Sequence, residues 1–260
     1  MRNRKPLTAL VIACNEEANI ARCVKSLAWA DEVLVVDSGS TDRTREVAAS
    51  LGARVIERPW AGYGQQKNYG NGQASHDWIL SVDADEEVTP GLREEAEAFL
   101  AEDGRVDGVQ HWGASIPRRT WYLGRWILHG GWYPNALVRL AHRHHSCWTE
   151  PAVHEAWQVD GPVRRFRSDL LHYTFRDVGE QVITNVRFAR LGARVARERG
   201  EHGTLAKIFL RPLFKFLETW IWKRGFLDGL PGLVISLNAA HSIFMKYVEL
   251  RFEAASDRRQ

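Results

Sequence analysis

Short apolar runs alternate with helix-compatible segments over the first hundred residues of the chain. The apolar runs cover residues 7–13, 32–36, 54–57 and 78–82, and several are rich in valine. The segments between them begin at capping residues such as Ser40-Thr41-Asp42 and Thr89-Pro90. Strands and helices that alternate at this spacing predict an α/β fold with a parallel sheet covered by helices on both faces.

Acidic and amide residues follow three of the four predicted strands. They form the stretches Asn15-Glu16-Glu17, Asp37 to Asp42 and Asp83-Ala84-Asp85. The carboxyl ends of parallel strands meet at one edge of the sheet, which is where ligands bind in such folds. We therefore expect a nucleotide to bind there, with Gly39 allowing the backbone to approach it closely.

Asp83 and Asp85 form a D-x-D pair. In an extended segment, residues two apart project to the same side, so both carboxylates can share one hard divalent cation. Mg²⁺ or Mn²⁺ held there can neutralise a departing diphosphate. A solvated turn is the alternative, and the position of the pair directly after a strand favours the metal site.

Composition sets broad limits on the function. With 45% hydrophobic and 26% charged residues, the 260-residue chain has the composition of a folded globular protein and not of a disordered one. Its net charge of +3 gives no reason to expect a nucleic-acid partner. Three cysteines without a C-x-x-C pair indicate a reducing, cytoplasmic setting, and the amino terminus lacks the pattern of a signal peptide.

Residues 106–160 are rich in aromatic residues and arginine and show no clean periodicity, so we expect loops and short strands. Trp132 and Tyr133 are candidates for stacking on sugar rings, with internal packing as the equal alternative. Arg118 and Arg119 are candidates for binding acceptor phosphates, or ordinary surface charges. The histidines of this region favour a solvated loop over a metal cluster; they are His142, His144 and His145.

The last third of the chain predicts amphipathic helices. In residues 205–222, cations recur every fourth position at Lys207, Arg211 and Lys215 among apolar side chains, and Pro212 is expected to kink the helix. Such a helix can lie in the interface of an anionic membrane. Residues 229–245 carry no charge but are too few to span a bilayer. Packing on the catalytic domain or a dimer contact is the alternative.

Four segments occur in a characteristic order: VIACNEEANIARCVKSL, VVDSGSTDRT, QQKNYG and WILSVDADEE. Together they resemble the family 2 glycosyltransferases of the GT-A fold. Later segments are RTWYLGRWILHGGWYPNALVRL, PAVHE and GFLDGLPGL. These are similar to the branch that adds β-1,4-linked glucose to heptose in the lipopolysaccharide core. The resemblance implies a mostly parallel GT-A sheet flanked by helices, with a helical carboxyl-terminal extension.

The resemblance also implies roles for individual residues of the donor site. Asn15 and Glu17 would line the nucleotide pocket, and Asp37 would contact the uracil or the ribose. Lys67 would meet the diphosphate, whereas Asp83 would face the ribose and the metal, and Asp85 would be the main metal ligand. Cys14 and Ser38 depart from the common family pattern, where a polar residue such as tyrosine and a second aspartate are frequent.

An inverting transfer needs a carboxylate that takes a proton from the acceptor hydroxyl. Glu155 is our candidate for this base, and the neighbouring His154 could orient it and contact the acceptor together with Trp132 and Tyr133. Glu150 is the rival candidate, and simple pairing of the His154-Glu155 stretch with loop arginines is the alternative. Arg139 would act with Lys67 on the diphosphate.

These inferences divide the chain into three parts. Residues 1–105 form the nucleotide-sugar half, residues 106–177 carry the acceptor site and the base, and residues 178–260 form the helical extension. The predicted enzyme moves a hexose, glucose by resemblance, from a UDP-sugar to an envelope glycolipid, at the cytoplasmic face of the inner membrane. A polyprenyl-phosphate glycosyltransferase and a non-catalytic nucleotide-sugar-binding scaffold are the alternatives.

Overall fold

The computed structural model describes residues 4–149 and 155–256. The strands, numbered in chain order, are β1 (Leu7–Ala13), β2 (Glu32–Asp37), β3 (Arg54–Glu57), β4 (Trp78–Asp83), β5 (Glu86–Val88), β6 (Arg105–Val106), β7 (Val109–Gln110), β8 (Gly113–Tyr122), β9 (Arg125–Ile127), β10 (Asn135–His142), β11 (Ser146–Trp148), β12 (Trp157–Val159), β13 (Val163–Arg165) and β14 (Leu170–His172). The helices are α1 (Glu17–Ser26), α2 (Thr44–Ser50), α3 (Tyr63–Gln73), α4 (Pro90–Ala101), α5 (Val178–Glu198), α6 (Leu205–Leu217) and α7 (Gly229–Ser256).

By its internal contacts the chain divides into two compact units. The first comprises residues 1–118 and 135–172, and the second comprises residues 119–134 and 173–260. The second unit therefore combines the predicted helical extension with a segment that we assigned from the sequence to the acceptor region.

The centre of the first unit is the predicted parallel sheet, with strands in the order β3-β2-β1-β4. The register places Ala13 opposite Asp37, and Ile12 opposite Asp83. The ends of β1, β2 and β4 thus meet at one edge, as the strand–helix alternation predicted. The α/β fold class is confirmed, and buried aliphatic side chains fill both faces of this sheet.

Beyond β4 the sheet continues with β10, β8, β14 and β5, and β10 lies antiparallel to both β4 and β8. The expectation of loops and short strands here was wrong for β8 and β10, which have ten and eight residues. In β8, buried positions fall on consecutive residues, as at Ile116 and Pro117, because both faces are covered. Such a strand shows no alternation of apolar and polar residues.

The helix α3 was not predicted from the sequence, because its glycines favour the unfolded chain and it has no apolar stripe. Its Gly70 packs directly against β1. A Cβ atom at Gly70 would lie 2.5 Å from Cδ1 of Leu10. The glycine therefore lets the helix backbone approach the sheet, and this close packing buries Lys67 at the sheet edge.

The second unit is built around three long helices. Small residues of α5, Ala193 and Ala196, pack against Tyr247 and Leu250 of α7 and Ile208 of α6. The helix α6 runs through Pro212 to Leu217, a π-helical turn (Glu218–Trp222) follows it, and a 3₁₀ turn (Gly225–Asp228) leads into α7. Within residues 4–149 and 155–256, no helix combines the length and apolar character needed to cross a bilayer.

Candidate active site

Asp83, at the end of β4, lies between two buried cations. Its Oδ2 accepts a hydrogen bond from Nη2 of Arg139 at 2.6 Å, and its Oδ1 lies 3.4 Å from Nζ of Lys67. The side chains of both cations are only 3–4% exposed. The strand β10 supplies Arg139 and the helix α3 supplies Lys67, so two elements converge on the last residue of a third.

Lys67 also connects Asp83 to the predicted base. Its Nζ lies 3.3 Å from Oε1 of Glu155 and 4.3 Å from the ring centroid of Trp148. Trp148 on β11 stacks on Trp157 of the paired strand β12, with ring centroids 5.0 Å apart. This aromatic pair fixes one wall around the lysine, and the ammonium group joins two carboxylates distant in sequence.

Glu86 is a buried member of the same cluster that the sequence analysis did not identify. Its Oε2 accepts the backbone N–H of Asp83 at 2.8 Å, and its Oε1 accepts Nη2 of Arg139 at 2.7 Å. Nη1 of Arg118 lies 3.5 Å from the same Oε1. Because Glu86 is fully buried, these donors compensate for the solvent that its carboxylate lacks.

Burial and charge act in opposite directions on these groups. Burial disfavours the ionised form of Asp83, but Arg139 and Lys67 outweigh it and hold the pKa of that carboxyl well below its usual range. Burial, reinforced by the nearby Asp83 charge, raises the pKa of Glu86 despite Arg139. The two carboxylates overcome the burial of Arg139 and raise the pKa of its guanidinium, which stays charged.

Asp85, the second acid of the D-x-D pair, forms an ion pair with His172. Its Oδ2 lies 3.3 Å from Nε2 of His172, and both side chains are largely buried. The antiparallel pairing of β5 and β14 sets this contact, because His172 lies opposite Glu86 in the register. Among the described residues, no group of three or more acidic, histidine or cysteine side chains surrounds a potential metal position.

The loops after β1 and β2 are tied together by hydrogen bonds. Asn15, with φ of 56°, accepts the backbone N–H of Thr41 on its Oδ1 at 2.8 Å, and its own N–H donates to Oγ of Ser40. Oε2 of Glu17 accepts the backbone N–H of Arg43 at 3.2 Å. These two predicted pocket residues therefore join the strand ends, and their contact with a nucleotide stays a prediction.

Asp37 is fully buried within its own loop. Its Oδ1 accepts the backbone N–H groups of Gly39 and Ser40, at 3.0 and 2.8 Å. Gly39 has φ of 91°, a conformation that favours glycine. The carboxylate thus shapes the loop, and its predicted contact with the uracil or ribose is not tested by this arrangement.

Some predicted acceptor residues belong to the second unit, and others lie outside the described residues. Trp132 and Tyr133 belong to the second unit, where the Trp132 ring packs 5.4 Å from that of Tyr122. His154 and the rival base Glu150 lie outside the described residues. Their proposed roles stay predictions.

The remaining candidates of the aromatic region have structural partners. Arg118 and Arg119 are neighbours on β8, so they project to opposite faces and cannot grip one phosphate from the same face. His145 stacks on Trp112 with centroids 3.7 Å apart, and His142 lies edge-on to the same indole. The histidine segment therefore packs on an aromatic side chain, and burial lowers the pKa of His142.

Comparison with known proteins shows that the protein carrying this sheet edge and charged cluster is an enzyme of the glycosyltransferase class. Residues 8–156 match the family model described as glycosyl transferase family 2, which is more than half of the chain. The chain belongs to glycosyl transferase family 2. The resemblance inferred from the sequence, and with it the GT-A fold class, is confirmed.

Two relatives match nearly the whole chain. The lipopolysaccharide core biosynthesis glycosyltransferase LpsC of Rhizobium meliloti (strain 1021) is 29% identical over 93% of this chain and 93% of its own length. A glycosyltransferase of Rickettsia typhi, RT0209, is 29% identical over 95% of this chain and 87% of its own.

A solved structure shares a shorter segment. Glucosyl-3-phosphoglycerate synthase from Mycobacterium tuberculosis, in complex with Mn²⁺, UDP and glucosyl-3-phosphoglycerate, is 32% identical over 32% of this chain and 34% of its own, with a TM-score of 0.29.

Proposed function

We propose that this glycosyltransferase is a metal-dependent, inverting enzyme that transfers a hexose from a UDP-sugar to an envelope glycolipid. The observation that carries the proposal is the position of Lys67 between Asp83 and Glu155, at 3.4 and 3.3 Å. One buried cation thereby links the donor end of the sheet to a carboxylate from another part of the chain. Such an arrangement can hold a donor diphosphate and an acceptor hydroxyl close to one another.

Glu155 is the proposed general base. Its carboxylate is partly exposed, and the residue lies two positions before Trp157, which begins β12 and stacks on Trp148. In an inverting transfer this carboxylate takes the proton of the acceptor hydroxyl as the oxygen attacks the anomeric carbon. The bond from that carbon to the diphosphate breaks, and the electron pair leaves with the phosphate oxygen.

Lys67 and Arg139 are the proposed partners of the leaving diphosphate. Nε and Nη1 of the buried Arg139 guanidinium have no hydrogen-bond partner among the described residues. Buried donors of this kind are normally satisfied, so they are suited to an anion that the protein alone does not supply. Positive charge fixed in a buried site stabilises the negative charge that develops as the diphosphate departs.

Asp85 and His172 are the proposed protein ligands of Mg²⁺ or Mn²⁺. Both oxygens of Asp83 already face cations, whereas Asp85 and His172 place a carboxylate oxygen and an imidazole nitrogen 3.3 Å apart. Two protein ligands leave the other positions of a divalent cation to phosphate oxygens and water. A bound metal would supply further neutralisation of the diphosphate.

The acceptor class is inferred from the name of a relative, and the cellular location from the carboxyl-terminal helices. The relative from Rhizobium meliloti is named for lipopolysaccharide core biosynthesis and matches along nearly the full length. This supports a lipopolysaccharide-core or related glycolipid as the acceptor, and glucose is proposed as the hexose from the resemblance of the sequence segments alone. We place the enzyme at the cytoplasmic face of the inner membrane, attached peripherally through its carboxyl-terminal helices.

Glu155→Gln tests the proposed reaction. We expect transfer to fall at least about a hundredfold, because the amide cannot accept the proton, while UDP with Mn²⁺ still raises the melting temperature. Glu97→Gln, which changes a partly exposed carboxylate paired with Arg93, is the matched control and should leave transfer unchanged. Full turnover in Glu155→Gln would instead favour a phosphate acceptor, and nucleotide binding without any transfer by the unmodified protein would favour a scaffold.

A further inference from the structure

Residues 205–230 of the second unit leave large apolar side chains open to solvent. Ten of them are between 47% and 71% exposed, and we call six of these ten the apolar face: Phe209, Leu213, Trp222, Phe226, Leu227 and Leu230. Single exposed apolar residues are common on protein surfaces, but clusters of this size usually mark a binding surface.

The apolar face draws its residues from four elements of the second unit: α6, the π-helical turn, the 3₁₀ turn and the start of α7. Phe209 and Leu213 are four residues apart, so they lie on one side of α6. On another side of α6, Trp222 lines a cavity of about 260 Å³ together with Phe214 of α6 and Ile243 of α7. The ring of Trp220 lies 6.3 Å from that of Phe226, which connects the π-helical turn to the 3₁₀ turn.

A buried carboxylate holds the 3₁₀ turn in place from the inside. Asp228 accepts the backbone N–H of His129 at 2.7 Å and that of Leu128 at 3.2 Å, and its backbone carbonyl accepts Nη1 of Arg125. Tight backbone packing also holds the 3₁₀ turn in place, because a Cβ atom at Gly232 would lie 2.0 Å from the carbonyl oxygen of Gly225. Phe226 and Leu227 are therefore exposed on a fixed turn.

The charges around the apolar face are mainly positive. Residues 205–230 contain five cations and two carboxylates. Glu218 is paired with Lys215 and Lys223, and Asp228 is buried, so neither acid offers a free negative charge to a partner. Arg211 and Arg224 are exposed. An apolar centre with a cationic rim complements the hydrocarbon and anionic headgroups of a bilayer, whereas two copies of it would bring like charges together.

We propose that the apolar face enters the headgroup region of an anionic bilayer, with Phe226 and Leu227 as the inserted turn and Asp228 as the residue that fixes it. This rests on the peripheral attachment in the proposed function and names the surface that performs it. The amphipathic helix predicted from the sequence is only part of that surface. The turn after it contributes the rest.

Vesicle flotation of the full-length protein tests this inference. The probes are vesicles of phosphatidylcholine alone and of phosphatidylcholine mixed with phosphatidylglycerol. We expect binding to the anionic vesicles that weakens with added salt, and a partition coefficient at least about tenfold lower for Phe226→Ser with Leu227→Ser. The matched control is Ile183→Ser with Phe188→Ser on α5, which also removes two exposed apolar residues, 73% and 52% exposed. It should bind as the unmodified protein does.

Several outcomes would overturn the inference. These are equal losses in both double variants, loss in the α5 variant alone, or no binding of the unmodified protein to either vesicle. A dimer that the Phe226 and Leu227 changes abolish while vesicle binding persists would make a second copy the occupant.

Trp222→Ser provides a second variant if the turn variant misfolds. Melting with UDP and Mn²⁺ tests donor binding separately, so a failure of the membrane surface is distinguishable from a failure of the proposed reaction.

Discussion

Glu86 and Arg139 form a buried ion pair with 2.7 Å between Oε1 and Nη2, and the same guanidinium nitrogen donates to Asp83. Glu86 also accepts the backbone N–H of Asp83. The three residues thus form a closed arrangement in which Glu86 orients both Arg139 and the start of the D-x-D turn.

Glu86→Gln should reduce both stability and transfer. The amide has one acceptor oxygen for two buried donors, so we expect a loss of about 2–3 kcal/mol in the free energy of unfolding. Transfer should fall about tenfold or more because Arg139 is no longer held. Urea unfolding and initial rates measure the two effects.

Glu87→Gln is the matched control, since Glu87 is the next residue and meets Arg22 at 3.8 Å on the surface. Identical rates for both variants would contradict the positioning role.

Lys67→Met should weaken the chemical step more than it weakens the fold. Methionine retains the apolar length against Trp148 but removes the charge between Asp83 and Glu155. We expect kcat to fall about a hundredfold, as for other buried donors that stabilise a developing negative charge. Steady-state kinetics at saturating acceptor measure this fall. Lys25→Met on the exposed side of α1 controls for loss of a lysine, and a normal kcat in Lys67→Met would remove this residue from the diphosphate site.

Asp85→Asn and His172→Gln should each raise the Mn²⁺ concentration needed for half-maximal activity. Loss of a ligand or its partner typically weakens a metal site by about 10–100-fold. Neither residue is a direct partner of Arg139 in its ion pairs. A Mn²⁺ titration of donor hydrolysis measures the shift. Asp77→Asn, which removes a surface carboxylate paired with Arg143, should leave the titration unchanged. Unshifted curves for both site variants would place the metal elsewhere.

Glu32 lies away from the active-site cluster, and its hydrogen bonds predict that the free energy of unfolding depends on pH. Burial opposes its ionisation, but hydrogen bonds from Ser75, Thr8 and Arg54 lower the pKa of the carboxyl from 4.5 to about 2. Because the folded-state pKa lies below the unfolded one, the ionised form stabilises the fold above about pH 4.5, and this contribution is lost as the pH falls towards 2.

Glu32→Gln should therefore cost about 1–2 kcal/mol at neutral pH, and the difference from the unmodified protein should shrink as the solution is acidified through that range. Denaturant unfolding at several pH values measures it. Glu46→Gln, at an exposed pair with Arg43, is the control. A difference that stays constant with pH would show that the hydrogen bonds of Glu32 do not depend on its charge.

The sequence predicted the parallel part of the sheet because apolar runs, caps and strand-end acids follow regular spacing there. It also indicated Lys67, Asp83 and Glu155, which the fold brings together. Glu86 and His172 could not be found this way, because their contacts join segments distant in the chain. Arg139, the partner of Glu86, comes from β10, and His172 reaches Asp85 through the pairing of β5 with β14. An acidic residue directly after the D-x-D pair was the available signal for Glu86.

The hydrogen bonds in the loop after β2 affect how substitutions of Asp37 must be interpreted. Two backbone N–H groups donate to Oδ1 of Asp37, so the loop would lose this internal support in Asp37→Ala whether or not uracil touches that side chain. An inactive variant at this position would consequently be ambiguous, because collapse of the neighbouring backbone and loss of a base contact have the same effect on turnover. Only a bound-nucleotide structure, or base discrimination measured in a variant with the loop intact, separates the two.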